Sequence, residues 1–149
     1  MATVRTEEKR IQPVIFEDTV PFLEEWTGQI PVFILSNIDS EDLIAAIEYH
    51  SLKVGGVITS EEVRSYKPRK EMFLEGLHRT GLKPDEVLHI GDSIVNDVYG
   101  AMQYGLDAVW LNRAGKDNQK SIHPTYIYSD LNAVTEMMKS QISSKIGKC

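Results

Sequence analysis

Short apolar runs that do not alternate with polar residues, each followed by a helical pattern, are the feature that most constrains this chain. Pro31-Val32-Phe33-Ile34-Leu35 is the clearest, and Ser36-Asn37 closes it. A strand with one wet face would alternate with a period of two, so a continuous run predicts a strand covered on both faces. Val54-Gly55-Gly56-Val57-Ile58-Thr59, Val87-Leu88-His89-Ile90 and Ala108-Val109-Trp110-Leu111 repeat the pattern, and Tyr126-Ile127-Tyr128 is a short fifth candidate. Between the runs, apolar residues recur at helical spacing: Phe22, Leu23 and Trp26; Leu43, Ile44 and Ile47; Met72, Phe73 and Leu77; Leu131, Val134, Met138 and Ile142. The strand–helix alternation predicts an α/β fold, an open parallel sheet with helices on both faces.

Helix boundaries follow from local chemistry. Asp18 or Thr19 is placed to cap a first helix, with Pro21 in its first turn and Gly28 at its end. Asp39 or Ser40 is placed to cap a second. Pro68 opens a third, which Gly81 stops, and a fourth spans Ser93 to Tyr104 with Gly105 just beyond. Residues 1–12 are polar and read as a loose tail, 13–142 as one domain, and 143–149 as a frayed end.

Composition removes several function classes. With Lys+Arg 16 against Asp+Glu 22, the net charge of −6 argues against a nucleic-acid partner, which needs a basic face. Cys149 is the single cysteine, so neither a disulfide framework nor a cysteine zinc site can form within the chain. No apolar run approaches the roughly 18 residues of a membrane helix. Met1 to Arg10 lacks the apolar core of a secretion signal. The expectation is a cytoplasmic chain of 149 residues with no membrane partner.

Ligands of open parallel sheets bind beyond the carboxyl ends of the strands. Three polar clusters fall at such ends: Ser36-Asn37, the segment around Lys67, and Gly91-Asp92. Ser36 and Asn37 offer a hydroxyl, an amide and backbone N–H groups at a helix start, which suits a phosphate. Lys67 precedes Pro68, which keeps its backbone extended, and can set a point charge on an anion. Asp97 lies about 1.4 turns after Asp92 at 3.6 residues per turn, so the two carboxylates can reach one region. Carboxylates with open positions suit Mg2+, which keeps waters or substrate phosphate as its other ligands. Each residue also has a plain structural reading: Ser36-Asn37 as a turn, Lys67 as a solvated lysine, Asp92 as a helix cap, Asp97 as an exposed helix carboxylate. Their order, each after an expected strand, favours the joint Mg2+-phosphate reading.

The series Phe33-Ile34-Leu35-Ser36-Asn37, then Tyr66-Lys67-Pro68, then His89-Ile90-Gly91-Asp92-Ser93-Ile94-Val95-Asn96-Asp97 resembles motifs two, three and four of the haloacid dehalogenase (HAD) superfamily. Ile58-Thr59-Ser60-Glu61-Glu62, Gly100-Ala101 and the segment Gly105 to Arg113 fit as well, so the resemblance spans roughly residues 14–135. It implies a three-layer Rossmann-like core. It also implies that Ser36 and Asn37 hold the transferring phosphoryl group and that Lys67 steadies its charge and that of the nucleophile. Asp92 would ligate Mg2+, and Asp97 would support the metal site or Lys67. Most members are phosphatases acting on small phosphorylated substrates through an aspartyl-phosphate. The Gly91-Asp92 pair favours this branch over the metal-free dehalogenases.

The resemblance is incomplete. The family's first motif, an apolar strand ending in Asp-x-Asp-x-Thr, supplies the nucleophile, and no Asp-x-Asp occurs in this sequence. Phe16-Glu17-Asp18-Thr19 fails on spacing and reads as a helix start. The first strand normally lies between the strands ending at Leu35 and Gly91. The expectation is therefore an incomplete core with little or no activity alone, whose open edge invites self-association, a homo-oligomer, or completion by an N-terminal segment. Two rivals stand beside it. One is a non-catalytic HAD-like module that binds phosphate or regulates. The other is a serine hydrolase built on Gly91-Asp92-Ser93, which lacks its Asp-x-x-His, because Lys120 stands three residues before His123. His50, His78 and His89 have no metal spacing and read as surface or strand-packing residues, and Trp110 as core.

Overall fold

In the computed structural model, residues 15–146 are described. Their elements run α1 (Thr19–Trp26), β1 (Phe33–Ser36), α2 (Ser40–Tyr49), β2 (Gly56–Thr59), α3 (Ser60–Val63), α4 (Lys70–Thr80), β3 (Leu88–Gly91), α5 (Gly100–Met102), β4 (Asp107–Leu111), β5 (Tyr126–Tyr128) and α6 (Leu131–Ile146). A 3-10 turn covers Pro84–Glu86, and a π-helical turn, Ile94–Tyr99, leads into α5.

All pairings are parallel. β1 lies beside β2 with Ile34 opposite Val57 and Ser36 opposite Thr59. β3 lies beside β4 with Ile90 opposite Val109, and β4 beside β5 with Trp110 opposite Ile127. The covered strands that the apolar runs predicted are present, because alternate residues feed two separate cores. Ile34, Ile90 and Val109 pack with Phe22, Leu23 and Trp26 of α1 and Leu131 and Val134 of α6. Leu35, Ala108 and Trp110 face the other way, onto Met72 and Phe73 of α4 and Val98 and Ala101. Burying each large apolar side chain contributes about 1.5–3 kcal/mol, so both helical layers are held by the sheet.

Among the described residues the strands form two hydrogen-bonded groups, β1–β2 and β3–β4–β5, and β1 does not pair with β3. This is the junction at which the resemblance places the family's first strand. A cavity of about 640 Å3 opens at the amino ends of the strands, lined by Trp26, Val32, Leu88, Ile90, Met137 and Met138 among others.

Several local expectations are corrected. Asp18 sits at the N-cap position of α1 but makes no capping bond, because its carboxylate is taken elsewhere. α4 begins at Lys70, two residues after Pro68, and α3 was not foreseen. The continuous helix expected over Ser93–Tyr104 is instead a π turn followed by one short α segment. α6 is described to Ile146, and the expected tail over 1–12 and the last three residues of the expected frayed end lie outside the described residues. No described helix is long and apolar enough to cross a membrane.

Candidate active site

β1 ends at Ser36, a buried residue, and Asn37 follows at the carboxyl edge of the sheet. The Asn37 amide turns toward the loop between α3 and α4. Its Oδ1 accepts the Lys67 backbone N–H at 2.9 Å, and its Nδ2 donates to the Lys67 carbonyl at 3.3 Å. Both functional groups of this amide therefore hold the Lys67 backbone.

The Lys67 side chain, buried, runs back across the end of β1. Its Nζ donates to the Leu35 carbonyl at 3.1 Å and to Asp97 Oδ1 at 2.6 Å. An ammonium has three N–H donors, so one is left for an anion.

Asp97 reaches Lys67 because of the π turn. Val98 N–H bonds the Ser93 carbonyl at 3.1 Å, an i→i+5 closure, and Asp97 N–H bonds the same carbonyl at 3.0 Å. Such turns recur at functional sites because they re-aim a side chain within a helix. Here the carboxylate points back at the end of β3. Its Oδ1 also contacts His89 Nε2 at 3.0 Å, and its Oδ2 accepts the Ser93 N–H at 3.1 Å. Gly91 makes the space: a Cβ there would lie 2.1 Å from Asp97 Cγ. Gly100 permits a second close approach, since its Cβ would meet the Phe73 ring and Pro68 Cα at 3.0 Å.

The electrostatics follow from this packing. Burial alone would raise the Asp97 carboxyl, but the Lys67 ammonium and the His89 hydrogen bond outweigh it and hold the group well below the ordinary carboxylate value. Burial pushes the His89 imidazole below its ordinary value, against the pull of Asp97, so the ring is neutral at pH 7. A carboxylate only accepts, so His89 Nε2 carries the proton. The edge of Phe73 packs against the same ring, centroids 5.1 Å apart.

Asp92 follows β3 directly and its side chain is exposed, while Trp110 Nε1–H donates to its backbone carbonyl at 3.1 Å. The structure thus brings Lys67, Asn37 and Asp97 into one bonded network, with Ser36 and Asp92 at the ends of the two strands it spans. Of the two roles implied for Asp97, its contact is with Lys67. Among the described residues, no group of three or more His, Cys, Asp or Glu is placed to hold a metal. Asp97's oxygens already accept three hydrogen bonds, and Asp92, the residue directly after β3, is the exposed carboxylate of the two. Mg2+ needs only one or two protein carboxylates when waters and phosphate complete its shell, so the donor chemistry fits.

Two residues of this region were not singled out by sequence reasoning. The sequence reading of His89 is a surface or strand-packing residue; a polar residue inside the apolar run Val87–Ile90 is the available signal. Trp110 was read as core, which it is, but it also pins the Asp92 backbone.

A family model described as haloacid dehalogenase-like hydrolase matches residues 4–105. A pyrimidine 5'-nucleotidase of Escherichia coli is 33% identical over 84 residues, 55% of this chain and 37% of that protein. A glyceraldehyde 3-phosphate phosphatase of Methanocaldococcus jannaschii is 33% identical over 85 residues, 56% of this chain and 37% of that protein. Among solved structures, the HAD phosphatase of Thermococcus onnurineus superposes with a TM-score of 0.75 at 30% identity, covering 83% of this chain and 58% of that one. The aligned part is thus less than two thirds of each relative's length.

Proposed function

The chain belongs to the haloacid dehalogenase-like hydrolase family, and on that premise we propose that its described residues form the phosphate-holding part of a Mg2+-dependent phosphate-monoester hydrolase. The observation that carries this reading is Lys67 Nζ, buried and aimed between the Leu35 carbonyl and Asp97 Oδ1 at the carboxyl end of the sheet. A cation fixed there with one N–H to spare is preorganised for a phosphoryl oxygen, and preorganised charge strengthens as charge builds in the transition state. The Ser36 hydroxyl and the Asn37 backbone N–H, one and two residues after Leu35, would serve as further donors to that phosphate. Asn37 acts mainly through its amide, by holding the Lys67 backbone. Asp92 would hold Mg2+, which when bound supplies charge neutralisation for the phosphate.

No residue of this sequence matches the nucleophile of the family's first motif. The proposal therefore assigns binding and charge stabilisation to this segment and little or no turnover without an added Asp-x-Asp segment. The second reading is a phosphate-binding module without catalysis.

Titration of the purified 149-residue protein with inorganic phosphate in the presence of Mg2+ tests the shared part of both readings. Saturable binding, lost in Asp92→Asn and in Lys67→Met, is expected; no binding by the folded protein overturns it. Phosphate-ester hydrolysis on adding a peptide that carries an apolar strand and Asp-x-Asp-x-Thr selects the hydrolase. Binding that never becomes turnover selects the module.

A further inference from the structure

We propose that His89 is a positioning residue for this site: its Nε2–H fixes the carboxylate of Asp97, and Asp97 in turn fixes the ammonium of Lys67. The inference rests on the proposed phosphate site only for its consequence in binding; its geometry stands independently.

Three observations carry it. His89 is completely buried in the middle of β3, at 0% exposure, so its polar atoms cannot be satisfied by bulk water. Its Nε2 lies 3.0 Å from Asp97 Oδ1, the same oxygen that takes Lys67 Nζ at 2.6 Å. The remaining oxygen, Oδ2, is held by the Ser93 N–H. The carboxylate is thus gripped at both ends and cannot rotate without breaking a bond. Removing the imidazole frees Oδ1 from one of its two partners. Lys67 then shares a loosely held anion, and its ammonium no longer stays between β1 and the π turn.

Charge balance supports the same assignment. Lys67 and Asp97 already cancel, so a neutral imidazole is the form that leaves the buried group of three without net charge. Phe73, edge-on to the ring, and the covered β3 backbone keep His89 in place. Partners that hydrogen-bond a functional carboxylate fix its orientation, and their loss weakens the site they support.

The test has a part that needs neither turnover nor a ligand. In 15N spectra of the wild-type protein, His89 is expected as the Nε2–H tautomer, and the Lys67 ammonium as a proton signal protected from solvent exchange. In His89→Leu the ammonium signal is expected to be lost to exchange. His89→Gln, which keeps a side-chain N–H at the corresponding distance, is expected to restore it. In parallel, inorganic phosphate with Mg2+ is expected to bind about 10-fold more weakly to His89→Leu and to regain most of its affinity in His89→Gln. An Nδ1–H tautomer in the wild type overturns the proposal, as does an unchanged ammonium signal in a folded His89→Leu. If His89→Leu does not fold, the wild-type tautomer and the His89→Gln signal decide. If the wild-type protein binds no phosphate while the spectra behave as expected, the proposed function fails and the positioning role stands.

Discussion

Lys67 Nζ and Asp97 Oδ1, 30 residues apart in the chain, meet at 2.6 Å with both side chains almost entirely buried. Two charges taken out of water together are tolerated because each supplies the other's counter-charge and because Leu35, His89 and Ser93 add further hydrogen bonds to the pair.

Breaking this pair from one side is expected to be severe. Asp97→Asn leaves a buried ammonium without its anion, at a cost of about 3–5 kcal/mol. Lys67→Met leaves the carboxylate uncompensated, with a similar penalty. The double variant is expected to lose at least about 0.5 kcal/mol less than the two single losses together, because neither charge remains. Urea unfolding of the three variants measures the difference; strictly additive losses would show that the two groups do not interact.

Gly91 is required for space rather than for backbone freedom. The Asp97 carboxylate occupies the place a side chain at 91 would take, with Cγ 2.1 Å from the Cβ position. Gly91→Ala is therefore expected to destabilise by more than the usual overpacking range of about 1–3 kcal/mol or to displace Asp97 from Lys67. Loss of the exchange-protected Lys67 ammonium signal would report the displacement, and a protein as stable as the wild type with that signal intact would contradict it.

Asp18 ties three elements together. Its carboxylate takes Arg113 through two bonds at 2.8 and 2.9 Å and the Leu131 N–H at 2.8 Å, where α6 begins. Asp18→Ala removes charged hydrogen bonds worth about 1.5–3 kcal/mol each before solvent screening of the partly exposed Arg113. The expected result is a loss of about 2–4 kcal/mol with weakened protection of the α6 amides in hydrogen exchange. Uniform protection across α1 and α6 in the variant would count against the tie.

Acid is expected to weaken the fold in two stages. The unfolded chain protonates His89 below about 6.5, whereas the buried ring resists protonation in the fold. Its contribution is therefore complete above that pH and declines as the pH falls through it. The Asp18 and Asp97 carboxyls are held below their ordinary value of 3.8 in the fold, Asp18 by Arg113 and the Leu131 N–H against a burial effect that raises it. Their contribution is present above about pH 4 and is lost below it. The fall in urea midpoint between pH 8 and pH 5.5 should therefore shrink in His89→Gln. An identical fall in that variant would assign it to other groups.

What the amino-acid order determined by itself is the strands and the longer helices; the short α3 and the π turn at Ile94–Tyr99 were not among them. Non-alternating runs such as Val32–Leu35 and Ala108–Leu111 became strands with a core on each face, and the helical stripes through Trp26, Phe73 and Val134 became the covering layers. These are local signals, a period and a burial preference, and they survive without knowledge of distant partners. Ser36, Asn37, Lys67, Asp92 and Asp97 are expected from the sequence to lie near the carboxyl ends of the strands, and Asn37, Lys67 and Asp97 share one bonded network. Their contacts were not legible. That Asn37 spends its amide on the Lys67 backbone, that Asp97 faces Lys67 through a π turn, that His89 shares the same oxygen, and that Asp18 grips Arg113 rather than capping its helix were decided only when distant segments packed. A buried polar group must find whichever partner the fold brings within about 3 Å, and residues 30 or 95 positions apart carry no local sign of that partner.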